Sequence, residues 1–275
     1  MPEKTRAGGA IINLLQITDC HLMKAPEGEL LGVNTRSSLN AVTQLAKQNI
    51  RSKVHASPDL ILATGDLAQD ASPEAYKYFK SHIDEFSCPV SWFPGNHDDL
   101  DVMKAAIGNG EEFNKVVRMG VWQIILLDSH VSGAVHGYLE AEELVILESA
   151  LNERPDLNTI ICFHHHPIKI DSLWLDKIGL RNQDELFEIV GRYDNIKAIV
   201  WGHIHQEIDA EIDDIALYAS PSTCVQFLPD SDDFALDSIA PGYRWFSLFE
   251  DGSIKTGVIR AEGYEFTLDL ASNGY

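Results

Sequence analysis

The chain has 275 residues, 45% of them hydrophobic, and a formal net charge of -21, which suits one large α/β domain spanning 1–275 with a well-buried core. So negative a field repels DNA, RNA and anionic lipid and leaves them no basic stripe, so neither nucleic acid nor membrane is expected as a partner. No apolar run approaches the roughly 18 residues of a membrane span, Met1–Gly9 reads as a flexible tail without a secretory pattern, and the four dispersed cysteines read as reduced thiols of a cytoplasmic protein.

Ile11–Thr18 alternates loosely between apolar and polar residues and predicts a first strand, ending in Asp19-Cys20-His21. Asn34 or Thr35 can cap a helix whose apolar positions Leu39, Val42, Leu45 and Ala46 recur at helical spacing. The apolar run Leu60–Ala63 suits a strand buried on both faces of a parallel sheet, and it stops at Gly65-Asp66. Ser72-Pro73 starts a second helix with Tyr76, Phe79, Ile83 and Phe86 on its apolar face. Pro89–Phe93 is a third strand; the chain then turns at Pro94-Gly95 and presents Asn96, His97 and Asp98 on a loop. A β-α-β-α-β order implies parallel strands with right-handed crossovers, so the three polar tips emerge at one sheet edge.

Further on, Val121–Asp128 predicts a strand and Glu140–Asn152 a helix with Leu144, Val145, Leu147 and Leu151 on its apolar face. Thr159–Phe163 predicts a strand running into His164, His165 and His166. A helix over Gln183–Arg192 leads to Ala198–Trp201 and then to Gly202-His203-Ile204-His205. Beyond Ile215 the signals are short strands without helices, Ala216–Ala219, Trp245–Phe249 and Lys255–Ile259, which predict antiparallel pairing. Leu228–Gly242 is the most irregular stretch and reads as a mobile loop, within a C-terminal loop and strand extension over 228–275. Its Asp230, Asp232 and Asp233 read most simply as a solvated surface.

A polar loop at one strand exit is ordinarily just solvated. Five strand ends carrying ligand-type side chains need another explanation. Asp19, His21, Asp66, Asn96, His165, His203 and His205 together offer two carboxylates, four imidazoles and an amide, enough for two metal ions if one carboxylate bridges. On an extended strand end, Asp-x-His and His-x-His place alternate side chains on one side. Imidazole and carboxylate suit Zn, Fe, Mn, Co or Ni, and the absence of thiolates argues against a closed structural zinc. Two divalent ions against two carboxylates leave a surplus of about two positive charges to draw in hydroxide and a phosphate oxygen. Metal coordination lowers the pKa of water from 15.7 to about 7, an arrangement suited to in-line attack on phosphorus.

The order D-x-H, G-D, G-N-H-D, H-x-P and G-H-x-H resembles the calcineurin-like metallophosphoesterases. Within them, Leu31-Gly32-Val33-Asn34-Thr35, Gly65–Asp70, Leu180-Arg181-Asn182 and Pro221–Phe227 resemble the bacterial class III 3',5'-cyclic AMP phosphodiesterases. The resemblance covers nearly the whole chain. It implies a four-layer αββα sandwich of two mixed β-sheets, with a dimetal site of Fe, Mn, Zn or Co, divalent or mixed-valence, at the strand ends. It also implies hydrolysis of cyclic AMP to 5'-AMP by a metal-bound hydroxide, in a monomer or homodimer.

Carried over by that resemblance, Asp19, His21, Asp66 and His205 hold one metal and Asp66, Asn96, His165 and His203 the other. His165 follows from the H-x-P spacing, with His164 as the alternative. His97 is the general acid and Asp98 orients it or another site histidine, against the plainer role of capping the turn. His21, Asp66, Asn96, His97 and His205 meet the substrate. Gln69 stands where purple acid phosphatases carry a tyrosine ligand, so a tyrosinate-to-iron bond is not expected. His136 and His166 are candidates for supporting contacts, the tryptophans read as core, and Arg181 and Asn182 either contact substrate or cap the next helix. The alternatives are a broader phosphodiesterase or phosphomonoesterase, and a non-catalytic nucleotide-binding module.

Overall fold

The apolar runs of the first third pair side by side. Ile12–Ile17, Leu60–Thr64 and Val90–Phe93 form parallel ladders in a computed structural model that describes residues 11–272 and 274. The Met1–Gly9 tail lies outside the described residues. Gly242–Leu248 joins the other side of Ile12–Ile17 antiparallel, and Ile254–Arg260 closes that edge. A second sheet runs in the order Ile208–Ile212, Ile215–Ala219, Ile196–Trp201, Asn158–Cys162, Trp122–Leu126, Val116–Met119. Its inner four strands are parallel and its two edge strands antiparallel.

Alternation along each strand sorts the core into layers, because successive side chains point to opposite faces. Leu14, Leu60, Leu62 and Phe93 of the first sheet meet Trp122, Ile124, Ile160 and Val200 of the second. Leu15, Ile17, Ile61 and Ala63 face outward, under Leu39, Val42 and Ala46 of helix Thr35–Arg51 and Tyr76 and Phe79 of helix Pro73–Ile83. Ile125, Ile161 and Ile199 pack under helices Ala141–Glu153 and Gln183–Val190. The result is the four-layer αββα sandwich of two mixed sheets. Asn34 and Ser72 cap the first two helices by accepting from Ser37 N and Ala75 N. Among the described residues no helix is long and apolar enough to cross a membrane.

Three local expectations change. Ile215–Ala219 is parallel to Ile196–Trp201, and its antiparallel partner is Ile208–Ile212. These two join through Asp213 and Asp214, both at positive φ (49° and 66°), the backbone of a tight hairpin turn that carries no glycine to announce it. Leu228–Gly242 is framed by a ribbon in which Gln226–Phe227 pairs with Leu236–Asp237. Its tip is tied down by Ser172 Oγ, which donates to Ser231 O at 2.7 Å. Val145, expected on an apolar helix face, is 61% exposed, whereas Leu147 and Leu151 are fully buried.

Just below the loops that carry the polar tips, the intersheet core turns polar. Gln16 Nε2 donates to Thr64 Oγ1 at 2.9 Å and to Trp201 O at 3.0 Å, tying the two sheets together. A buried amide with both neighbours satisfied fixes the spacing of the strand ends above it. The Val145 result gives a direct check of the layer assignment. Leu147→Ala is expected to lower unfolding free energy by about 2–5 kcal/mol, and Val145→Ala by less than about 0.5 kcal/mol, both read from urea denaturation.

Candidate metal centre

The ladders do not stop where the strands stop. Asp19 N donates to Gly65 O (3.0 Å), His21 N to Asp66 O (2.9 Å), Leu22 N to Leu67 O (3.0 Å) and Gln69 N to Leu22 O (2.8 Å), so the first two polar tips are zipped together by backbone. Within that zipper Asp19 (φ 53°), His21 (47°) and Asp66 (49°) are left-handed, as are His203 (67°) and His205 (50°). This replaces the expected extended alternation: the strands end at Ile17 and Trp201, and it is the left-handed backbone that aims these side chains. Such residues are costly outside glycine and persist where their surroundings over-determine them, typically at functional sites. The motif glycines answer to space. A Cβ on Gly95 would lie 2.2 Å from Asp66 Oδ1, and one on Gly202 would lie 2.3 Å from Thr18 Oγ1.

Asp19, His21, Asp66, His203 and His205 are all buried and converge. Three overlapping donor sets have their ligand atoms within 4.8 Å of one another: Asp19, His21 and His205; His21, Asp66 and His97; Asp66, His164 and His203. Asp66 and His21 are each shared by two of them. His205 Nε2 lies 3.4 Å from Asp19 Oδ1. Asp19 also accepts the His203 backbone N–H at 3.0 Å and the Thr18 hydroxyl at 2.6 Å. The His97 backbone N–H donates to Asp66 Oδ1 at 2.8 Å, and its half-buried ring stands edge-on to His21 with centroids 5.0 Å apart.

At two residues the geometry favours the alternative named from the sequence. His164 Nε2 points at Asp66 Oδ2, 3.2 Å away. Both nitrogens of His165 are engaged elsewhere, Nδ1 with Ser129 Oγ at 2.8 Å and Nε2 with Val135 O at 3.2 Å. The turn after Cys162 therefore delivers the first histidine of the run to the carboxylates. Asp98 Oδ1 accepts from Ala68 N (3.0 Å), and its Oδ2 accepts from Leu67 N (3.2 Å) and Gly95 N (3.0 Å). Its carboxylate thus lashes the Gly65-Asp66 loop to the Gly95-Asn96 loop, which is the turn-capping role. Burial and the nearby Asp66 charge push its carboxyl up from the ordinary range.

Other candidates fall into supporting places. His166 stacks on His203 at 5.7 Å, and Phe227 lies flat on His205 at 4.2 Å. Asn182 exchanges hydrogen bonds with the Leu139 backbone, and Arg181 donates to Lys177 O. Trp92, Trp122 and Trp201 are core. Sequence reasoning gave no partner to the imidazoles: Thr64 O for His164, Ile178 O for His203 and Val225 O for His205. Every residue has a carbonyl, so sequence carries no signal for these. A cavity of about 670 Å³ lined by Phe187, Tyr193 and Ile215 opens at the Ile196 end of its strand, away from these residues.

Electrostatics and unmet polar atoms fit a cation. Burial holds His21 down to about 3 and His165 and His203 well below the usual imidazole range, so these rings are neutral. Burial also opposes charge on His164, but Asp66 and then Asp19 overcome it and raise that ring to about 9. The same pairing holds Asp66 well below the carboxylate range against its own burial. Asp66 Oδ2 and His164 Nε2 face each other at 3.2 Å, and Asn96 Oδ1 is buried without a hydrogen-bond partner. His21 Nε2 and His205 Nε2 face each other at 3.0 Å, although each ring's Nδ1 is committed to an oxygen. Two lone pairs so placed repel unless a positive charge lies between them. The donor set, imidazole and carboxylate with one amide, suits divalent transition metals.

The pattern of calcineurin-like phosphoesterases matches residues 12–207, a span that contains every residue of this cluster. The chain belongs to the calcineurin-like phosphoesterase family. Among the relatives of this phosphoesterase is the 3',5'-cyclic adenosine monophosphate phosphodiesterase CpdA of Pseudomonas aeruginosa, 42% identical over 274 residues, with 99% of this chain and 98% of that protein covered. The protein of the same name from Escherichia coli K12 is 44% identical over 271 residues, covering 98% and 97%. Among solved structures, a dimetal phosphatase from Danio rerio shares the fold at a TM-score of 0.61 and 14% identity, covering 91% of this chain and 99% of that one.

The placement of the two adjacent histidines can be tested on the phosphoesterase directly. His164→Ala is expected to lower the Mn²⁺ retained per chain more than His165→Ala does, as read by elemental analysis after reconstitution with Mn²⁺. The opposite ranking would favour His165 as the metal-facing histidine.

Proposed function

We propose that this phosphoesterase hydrolyses 3',5'-cyclic AMP to 5'-AMP. Asp19, His21 and His205 serve one divalent ion, Asn96, His164 and His203 a second, and Asp66 both. The ions are drawn from Fe, Mn, Zn and Co. The observation that carries the reading is the convergence of buried Asp19, His21, Asp66, His164, His203 and His205 into overlapping donor sets, with Asn96 Oδ1 buried and without a hydrogen-bond partner. Its support from relatives is the near full-length similarity to cyclic AMP phosphodiesterases. The four free thiols agree with a reducing, cytoplasmic setting.

When bound, the ions supply Lewis acidity toward a phosphoryl oxygen and a water acidic enough to attack at neutral pH. The protein's own residues do the rest. Asn96 positions the phosphate through its amide nitrogen, and the imidazoles tied to backbone carbonyls hold their ring nitrogens without reorganising as charge develops. Hydrolysis adds water across the P–O3' bond, so the departing 3' oxygen must gain a proton. His97 supplies it from a ring nitrogen as general acid, held near the reacting phosphorus by its backbone bond to Asp66.

The test separates proton donation from metal chemistry. In Mn²⁺-loaded protein, His97→Ala is expected to lower kcat on cyclic AMP by roughly 10²–10⁴. On bis(p-nitrophenyl) phosphate the loss stays below about tenfold, because p-nitrophenolate leaves without a proton. Equal losses on both substrates would remove the general-acid role. Turnover of the synthetic diester with none of cyclic AMP or cyclic GMP would keep the phosphoesterase and discard the cyclic nucleotide.

A further inference from the structure

Four of the imidazoles that face the carboxylates are tied through the other ring nitrogen. For His164, His203 and His205 the tie is a backbone carbonyl, Thr64 O at 2.8 Å, Ile178 O at 3.1 Å and Val225 O at 2.9 Å. A carbonyl only accepts, so the tied nitrogen carries the hydrogen and, in the neutral ring that a metal ion requires, the other presents its lone pair. His21 differs. Its Nδ1 is tied to a side chain, Gln69 Oε1, at 2.6 Å.

Gln69 is itself anchored from the His21 side. Its backbone N–H donates to Leu22 O at 2.8 Å, and Leu22 bridges Ala68 in parallel pairing. The residue after His21 therefore sets where the Gln69 backbone lies, and the amide returns to His21 across that zipper. Three of the four ties cannot be altered by changing a side chain. The fourth is open to tuning, and here it is a neutral amide, a weaker acceptor than a carboxylate.

We propose that Gln69 is a positioning residue: it holds His21 in the Nδ1–H tautomer, turns Nε2 toward Asp66 and His205, and thereby sets the divalent-ion affinity on the Asp19–His21 side of the centre. His21 Nε2 lies 3.9 Å from Asp66 Oδ2 and 3.0 Å from His205 Nε2, so loss of the tie frees a ring that belongs to two of the donor sets. A hydrogen-bond acceptor behind a metal-binding histidine ordinarily contributes 10–100-fold in affinity. The inference rests on the reading that the centre holds divalent ions.

The experiment is Mn²⁺ titration of metal-stripped full-length protein, read by calorimetry and by the spin resonance of free Mn²⁺, with nitrogen-15 NMR of the His21 ring in the metal-free state. Gln69→Leu is expected to weaken one of the two binding events by about 10–100-fold, leave the other unchanged, and give a mixed His21 tautomer. Gln69→Glu restores an acceptor, and with it tight binding and the Nδ1–H form. Unchanged binding and tautomer in Gln69→Leu would overturn the proposal. So would equal weakening in both variants, which is what lost packing alone predicts. Wild-type protein that binds no Mn²⁺ would instead refute the metal reading, and the role of Gln69 with it.

Discussion

A carboxylate with almost no water around it governs this molecule. Asp66 is 1% exposed; its Oδ1 accepts the backbone N–H of His97, and its Oδ2 faces His164 Nε2 at 3.2 Å. Burying an ionised carboxylate costs several kcal/mol unless opposite charge or donors surround it. The architecture around Asp66 reads as the answer to that cost. Asp66 and His21 come from the first sheet and His164 and His203 from the second, so this donor set assembles only when both sheets are docked.

The three buried aspartates at the sheet ends divide the work by what surrounds them. Asp19 takes a hydroxyl and a backbone N–H and leaves Oδ1 near His205 and His164. Asp66 leaves Oδ2 facing His164 Nε2. Asp98 spends both oxygens on three backbone amides and joins loops. Identical chemistry thus yields two groups open to a cation and one tether, and the difference lies wholly in the local supply of N–H donors. Gln16, one layer below, fixes the distance across which the two sheets present these groups.

The net charge of -21 sets the terms on which an anionic substrate can approach. The surrounding field opposes a phosphodiester, so attraction must come from concentrated local charge at the site. Four tied imidazoles and buried carboxylates are donor groups of the kind that gather such charge. The same field disfavours nucleic acids, whose many phosphates would meet the acidic surface beyond the site.

What the sequence determined by itself was the kind of atoms at the strand ends and the layers beneath them. Apolar runs of strand length that stop at Asp19, Asp66, Asn96 and His203 imply a parallel sheet with polar tips at one edge, because strand burial and crossover handedness leave few alternatives. It was less informative where backbone replaces side chain as the cause. Adjacent histidines look alike in sequence, and only the path of the loop after Cys162 sends His164 to Asp66 and His165 to Ser129. Asp98 became a tether because Leu67, Ala68 and Gly95 present N–H groups to it from two loops. Asp and His are enriched among left-handed non-glycine residues, but residue type alone does not single out Asp19, His21, His203 and His205 for those angles. Composition and periodicity fix which residues reach the site. The long-range hydrogen bonds of the folded backbone decide which atom of each residue faces it.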